Sequence, residues 1–477
     1  MSSVYCLISS GDLHLLPASA TEHAQLTARD ALPFYAPAAL GDPSQRAALE
    51  PPLSSASEST INHILDEYSA RSVYLPLALV ALTADAESAQ SQQQIRDMIV
   101  EVFPEWDASQ ISVARLTGGI TNMLLQCTYQ QGTPAEKTVL VRTYGKGTDV
   151  IIDRDREFIS HLVLNSLGLA PPVHARFANG LVYGFLPGRS LSPEELAYPS
   201  IYPYIAQTLG HWHRKIHGKH IEQGIRKLKE YNHMQAMAGS LQRHALTNAA
   251  PKKPLCLSLW QLIEQWIEII PQIPQVVESF EENRDLAQDQ AHGIDVQRIL
   301  QQELAWLLDK VGSESFSRTV LSHCDLLSGN VIMLPEGTVS ATEEASISTI
   351  DQNPVRFIDY EYMLPSPRGF DIANHFAEWQ GFDCDKSKIP QPSPQNPVMR
   401  KWAEAYLSTS PNVTPANLER KVDRLIEEIH GFYGMPGFYW GIWAAIQSEI
   451  SIIDFDYAGY SKLRLNEYWE WKRGYQD

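Results

Sequence analysis

His323-Cys324-Asp325-Leu326-Leu327-Ser328-Gly329-Asn330 runs straight into the apolar Val331-Ile332-Met333-Leu334, and Phe357-Ile358-Asp359-Tyr360-Glu361 follows further along the chain. An aspartate in a loop, an asparagine at the foot of a strand and a second aspartate after the next strand place three oxygen-bearing side chains around a β-hairpin. Metal-assisted phosphoryl transfer needs that set: a carboxylate facing the nucleophilic hydroxyl, and an amide and a carboxylate holding Mg²⁺ against nucleotide phosphates.

Taken singly, Asp325 and Asn330 fit an ordinary turn. The order of the flanking residues is more specific: apolar Val320-Leu321, then His323-x-Asp325, then Asn330 entering a strand, then Asp359 after a second strand. It has the offsets of a protein-kinase catalytic loop. Cys324 stands where protein kinases carry Arg, the residue that receives a phosphorylated activation loop, which favours a small-molecule acceptor. Asp325 is expected to align the acceptor hydroxyl and take its proton late in the reaction. Asn330 and Asp359 are expected to hold the metal, and His323 to position the loop. Glu361 either assists on the same face or forms a surface salt bridge.

Upstream, apolar and β-branched runs over 111–116, 123–129 and 138–144 are separated by Gly-Gly and by Gln-Gln-Gly-Thr-Pro, which predicts an antiparallel meander. A helix is expected over 91–103 and another over 153–167, followed by a strand pair at 173–177 and 181–185 broken by Asn179-Gly180. Beyond Pro187-Gly188 helices dominate, at 203–217, at 259–270 and from the N-cap Asp295 to Val311. Two polar insertions are expected at about 220–292 and 335–354, and the chain from Arg368 onward reads as mainly helical. The fold class is therefore α+β and two-lobed. Residues 1–92 form a partly disordered extension, 93–188 a small β-rich N-lobe, and 189–477 a large, mainly helical C-lobe with the catalytic loop.

Other residues fit around this frame. Gly118, Gly119, Thr121 and Asn122 in the first strand turn offer backbone N–H groups and polar side chains for a flap over phosphates, or simply make a hairpin. Arg142 ends a strand where a kinase places its phosphate-pairing lysine, and Glu157 on the next helix is placed to pair with it. Trp440 and Trp443 at i and i+3, with Tyr460 beyond, suit either a cation-π cage for an ammonium or an aromatic core. Glu378 and Asp383 add acidic acceptors. His213 and His217 have the i, i+4 spacing of a zinc pair but lack an acidic or thiol third ligand, so they read as ordinary helix residues.

With 38 basic against 56 acidic residues the net charge is -18, which opposes a nucleic-acid partner and mildly favours a cationic substrate. Five scattered cysteines without a Cys-x-x-Cys pair indicate neither a zinc knuckle nor a disulfide framework and suit a reducing cytoplasm. The longest apolar run, 73–82, contains Pro76 and is far short of the roughly 20 residues of a membrane span.

From 91 to the C-terminus the chain resembles the choline/ethanolamine kinases, within the protein-kinase-like fold. The resemblance is carried by Gly118-Gly119-Ile120-Thr121-Asn122, Val141-Arg142-Thr143-Tyr144-Gly145, the 323–330 loop, Phe357-Ile358-Asp359-Tyr360-Glu361-Tyr362, Arg368-Gly369-Phe370-Asp371-Ile372-Ala373-Asn374-His375-Phe376 and Trp440-Gly441-Ile442-Trp443. It implies transfer of the ATP γ-phosphate to an amino alcohol with Mg²⁺, as the first step toward a phospholipid head group. It further implies Asp325 as base, Asn330 and Asp359 as metal ligands, Arg142 as an ATP contact, and Glu378, Trp440, Trp443 and Tyr460 around the amine. Asp371 resembles the family's buried carboxylate that braces the catalytic loop.

Gly-Gly-Ile-Thr-Asn, Asp153-Arg154-Asp155-Arg156-Glu157 and Gly381-Phe382-Asp383-Cys384-Asp385 are closer to ethanolamine kinases than to choline kinases. A primary ammonium has three N–H donors, so its pocket needs acceptors as well as aromatic faces, and Asp383 supplies one. Ethanolamine is the expected acceptor. Choline, both amines, or a kinase-shaped binding protein without turnover are the alternatives, and a homodimer is compatible with the resemblance. The chain departs from the family at Cys324, where Asn is usual, at Gly184, which replaces a larger residue near the adenine, and in its first ninety or so residues.

Overall fold

The structure is a computed structural model that describes residues 61–75, 89–116, 122–145, 147–177, 179–228, 256–287, 294–335, 353–451 and 453–476. Gly118, Gly119 and Thr121, the Pro- and Ser-rich stretch up to residue 59, residues 229–255 and 288–292 of the first insertion and residues 336–352 of the second lie outside the described residues.

The small lobe is a six-stranded sheet in the order β1-β5-β6-β4-β3-β2: β1 Val73–Leu75, β2 Ile111–Leu116, β3 Asn122–Tyr129, β4 Lys137–Tyr144, β5 Val173–Phe177 and β6 Gly180–Gly184. Strand alternation sorts its faces. Leu125, Cys127, Val139, Val141 and Val182 turn to one side and pack with Ile95, Met98, Ile99 and Val102 of helix α2 (Ala89–Val102), residues spaced to share one helix face. Arg142, one residue on from Val141, turns to the opposite face. There it meets helix α3 (Arg154–Ser166), whose N-cap Asp153 accepts from the Asp155 and Arg156 N–H groups.

Part of the expected extension is built into this lobe. Helix α1 (Ile61–Arg71) buries Ile61, Ile64, Leu65 and Tyr68, one apolar stripe, and Tyr68 meets the Phe158 ring of α3 edge-on at 5.1 Å. β1 then pairs with β5, Val73 opposite Ala175, as the parallel edge of an otherwise antiparallel sheet.

The large lobe begins with β7 (Arg189–Ser190) and helix α4 (Tyr202–Lys215). Helices α5 (Leu259–Ile269), α6 (Pro274–Glu282) and α7 (Val296–Val311) follow, α7 capped by Asp295. The strand unit comprises β8 (Thr319–Ser322), β9 (Val331–Met333), β10 (Val355–Phe357) and β11 (Leu364–Pro367). β8 pairs with β11, and β9 lies between β7 and β10. Then come α8 (Arg368–Ala377), α9 (Pro397–Ser408), α10 (Leu418–Phe432), α11 (Met435–Ile450) and α12 (Tyr457–Gln476). α11 and α12 pack closely because α11 presents glycine: a Cβ on Gly441 would meet Leu465 of α12 at 2.7 Å. Among the described residues no helix is long and apolar enough to cross a membrane, and Cys127, Cys256, Cys324 and Cys384 are free thiols.

Candidate active site

The 323–330 segment connects β8 to β9 and is buried along most of its length. Its backbone turns at Cys324, which has φ +62°, a left-handed conformation that costs a non-glycine residue roughly 1–2 kcal/mol. Three hydrogen bonds hold that turn. The Asp371 carboxylate accepts from the His323 N–H at 3.0 Å and the Cys324 N–H at 2.8 Å, while Asn374, one turn along α8, donates to the Cys324 carbonyl at 2.9 Å. Asp371 also accepts from His213 Nε2 at 2.8 Å, and the tautomer that donates there accepts at Nδ1 from the Tyr406 hydroxyl. Burial alone would raise the Asp371 carboxyl, but donation from His213 and the loop amides holds it below the usual carboxylate range. His323 spans the hairpin, Nε2 donating to the Ile358 carbonyl at 3.0 Å, and burial pushes its pKa down to about 4, so the ring is neutral.

Asp325 follows the strained residue. Asn330 Nδ2 donates to its carbonyl at 2.8 Å and to its Oδ2 at 3.2 Å, while Oδ1 is buried with no hydrogen-bond partner among the described residues. Burial, then the nearby charges of Asp359, Glu378 and Glu361, lift its pKa well above the usual range. The Ile358 N–H donates to the Asn330 carbonyl, which ties Asn330 to the strand leading into Asp359. Asp359 has φ +67°, and burial, opposed by Arg142 and reinforced by Glu361, lifts it to about 6. Among the described residues no three His, Cys, Asp or Glu side chains converge as a metal-binding group. The Asp359 carboxylate and the Asn330 amide, whose nitrogen is turned to Asp325, nevertheless fit Mg²⁺, a hard cation that takes few protein oxygens and completes its shell with phosphate and water.

A charge network joins the small lobe to Asp359 and Glu361 of the large lobe. Arg142 Nη1 lies 3.2 Å from Glu157, and its Nη2 donates to Asp359 at 2.9 Å and to Glu361 at 2.6 Å. Arg154 donates to Glu157 at 2.8 Å, to Glu361 at 3.0 Å and to the Asn122 amide oxygen at 3.1 Å, and its guanidinium lies 4.2 Å from the Tyr144 ring centre. Asn122 donates back to Glu361 at 2.9 Å. Glu361 is therefore buried and shared by three partners, which removes the surface salt-bridge reading. A carboxylate two residues from Asp359 can be held inside only by such pairing.

Trp440 and Trp443 are buried, their rings 5.5 Å apart at 86°, and both are part of the main core. Their N–H groups are used, Trp440 donating to Asn374 and Trp443 to the Tyr362 hydroxyl, each at 2.9 Å. Tyr460 packs on Phe455 at 5.8 Å. Glu378 is buried, and its charge contributes to raising both Asp325 and Tyr460, behind burial in each case. Asp383 is apart from these: it is exposed, in the turn beyond Gly381.

The family model for choline/ethanolamine kinase matches residues 113–469. The chain is 31% identical over 389 residues to human ethanolamine kinase 1, covering 81% of this chain and 73% of that one. It is 30% identical over 380 residues to a probable ethanolamine kinase of Arabidopsis thaliana, covering 79% and 84%. The chain belongs to the choline/ethanolamine kinase family. Among solved structures, an ethanolamine kinase of Plasmodium vivax aligns with TM-score 0.56 at 22% identity, covering 89% of this chain and 96% of that one. A choline kinase of Cryptosporidium parvum aligns with TM-score 0.54 at 20%, covering 81% and 96%. Both show the two-lobed protein-kinase-like fold.

Within this choline/ethanolamine kinase fold the structure brings together Asp325, Asn330, Asp359, Arg142, Glu157, Asn122 and Asp371 through the contacts above. Sequence reasoning missed Arg154, His213 and Asn374 as parts of the site. Arg154 had a signal, its place one residue after the N-cap of the Glu157 helix. His213 had been set aside as an ordinary helix residue, because its partner Asp371 is 158 positions away.

Proposed function

We propose that the protein transfers the γ-phosphoryl group of ATP to the hydroxyl of ethanolamine, in the cytoplasm, supplying phosphoethanolamine for phosphatidylethanolamine synthesis. The observation that carries this reading is the buried, unpartnered Oδ1 of Asp325 on a loop held from both sides. An acceptor hydroxyl is the group that such an oxygen lacks. Asp325 aligns the hydroxyl, and its raised proton affinity suits it to take the proton as the phosphoryl group departs. The ammonium of the substrate, seated between Glu378 and the faces of Trp440, Trp443 and Tyr460, favours the ionised form of Asp325 beforehand.

Asn330 and Asp359 would hold Mg²⁺, which when bound supplies positive charge for the phosphate oxygens. Arg142, fixed by Glu157, presents a planar fork toward the same region, and Gly118, Gly119, Thr121 and Asn122 are assigned to the nucleotide side. Ethanolamine is preferred over choline because the sequence relatives above are named ethanolamine kinases, and because Glu378 offers an acceptor that a primary ammonium can use and a quaternary one cannot.

The test is purified protein with MgATP and ethanolamine or choline, measuring kcat/KM for each, repeated with Asp325→Asn. Ethanolamine should be preferred, and Asp325→Asn should lower kcat by on the order of 10³ or more. Phosphorylation of neither amine would sink the kinase reading in favour of a binding protein, and a tenfold preference for choline would overturn the choice of amine.

A further inference from the structure

We propose that Asn374 is a positioning residue that joins the amine pocket to the catalytic loop, through one amide with an engaged group at each end. Its Nδ2 donates to the Cys324 carbonyl and its Oδ1 accepts from the Trp440 indole N–H, both at 2.9 Å, and the side chain is fully buried. Cys324 is the strained residue whose φ of +62° aims Asp325. Its N–H is taken by Asp371 and its carbonyl by Asn374, so the peptide groups on both sides of the strained Cα are tied to α8, one turn apart. A left-handed non-glycine residue persists where its surroundings over-determine it, and removing either tie frees the peptide to relax and swings Asp325 with it. The amide cannot serve its two partners in any other orientation. Turned over, its oxygen would face a carbonyl and its NH₂ an indole N–H. The position of the Trp440 ring therefore sets the plane of the amide, and the amide sets the loop. A substrate that seats against Trp440 is thereby registered against Asp325 without touching the loop.

The link between Asn374 and the loop stands on geometry alone, while its link to the substrate rests on the amino-alcohol kinase reading, so the experiment has two arms. The first is hydrogen exchange of the 323–330 amides in the full-length protein, comparing wild type with Asn374→Leu and Asn374→Asp. Exchange in this segment should quicken at least tenfold, with other segments unchanged. Unchanged exchange overturns the proposal even if the protein proves not to phosphorylate an amine. The second arm is steady-state kinetics with MgATP and ethanolamine. Asn374→Asp keeps the acceptor for Trp440 but loses the donor to Cys324, so it should lose kcat 10- to 100-fold, as Asn374→Leu does, with KM for ATP within threefold. Trp440→Phe keeps the aromatic face but loses the indole N–H, and should raise KM for ethanolamine while lowering kcat by less than either Asn374 variant. It also serves both arms if the Asn374 substitutions prevent folding. Asn374→Asp retaining kcat within threefold, or equal losses in kcat and ATP affinity, overturns the proposal. Inactive wild-type protein instead refutes the kinase reading and leaves the exchange result to judge the clamp.

Discussion

The two walls of the site are built from opposite materials. On one side, where the lobes meet, Arg142, Arg154 and Glu157 of the small lobe share one charge network with Asp359 and Glu361 of the large lobe. On the large-lobe side, one carboxylate, Asp371, is saturated by a histidine and two backbone N–H groups, and a neutral amide, Asn374, completes the hold. A network of full charges can exchange one partner for another at small cost, so a phosphate or a metal can enter it. A saturated carboxylate has nothing to exchange. The contrast separates a wall that answers a ligand from a wall that keeps a catalytic residue still.

Substitutions can break that contrast, and the largest effect is expected on the still wall. Asp371→Ala leaves two loop N–H groups and His213 unpaired in the interior and should destabilise the protein by ~3–5 kcal/mol with loss of turnover, read by urea denaturation and by kcat. Glu361→Gln keeps the shape but removes a charge from the responsive wall. It should cost about 1–3 kcal/mol and act mainly on KM for ATP, because Arg142 and Arg154 retain Glu157. A collapse of kcat in Glu361→Gln that equals the one in Asp371→Ala would end the distinction between the two walls.

Acid provides a third test. His161, His174, His323 and His375 are pushed by burial to about 4 from an ordinary value of 6.5. Between those values the unfolded chain binds protons that the folded protein does not, so stability falls as pH falls through that window. The slope is about 1.4 kcal/mol per pH unit for each ring, and there is no contribution above it. Asp371, held low, adds its own loss only below its ordinary 3.8. Asp359, raised to about 6, and Asp325, raised as well, take up protons in the fold first and work against this loss, so denaturation midpoints measured from pH 7 to 5 should fall by less than four rings alone would give, and His323→Gln should reduce the slope by one ring's share. An unchanged slope would mean that His323 titrates normally in the fold. The smallest effect is expected at the rim: Asp383→Ala should reduce kcat/KM for ethanolamine by about two- to threefold more than for choline, since an exposed carboxylate acts through screened water. Equal losses would remove Asp383 from the selectivity argument.

The strands, the helices and the catalytic loop were legible because each is written in a short window. The meander shows in runs around Val139 and Val141, the helix that carries Glu157 in its Asp153 cap, and the loop in the spacing of His323, Asp325 and Asn330. Helix α1 was not anticipated as part of the small lobe, since its stripe of Ile61, Ile64, Leu65 and Tyr68 has meaning only against Phe158 on α3. Glu361 was ambiguous for the same kind of reason: two residues beyond Asp359, it could face water or a cation, and nothing near it in the chain chooses.

What the sequence determined by itself was the chemistry available: which residues carry oxygen, which carry charge, and at what local spacing. The tertiary structure decided how they are used. His213 meets Asp371 across 158 positions, Trp440 meets Asn374 across 66, and Arg142 meets Glu361 across 219. A hydrogen bond requires its atoms within about 3 Å, and an ion pair inside a protein survives only when the fold excludes water from it, so neither can be read from residues that the chain leaves far apart.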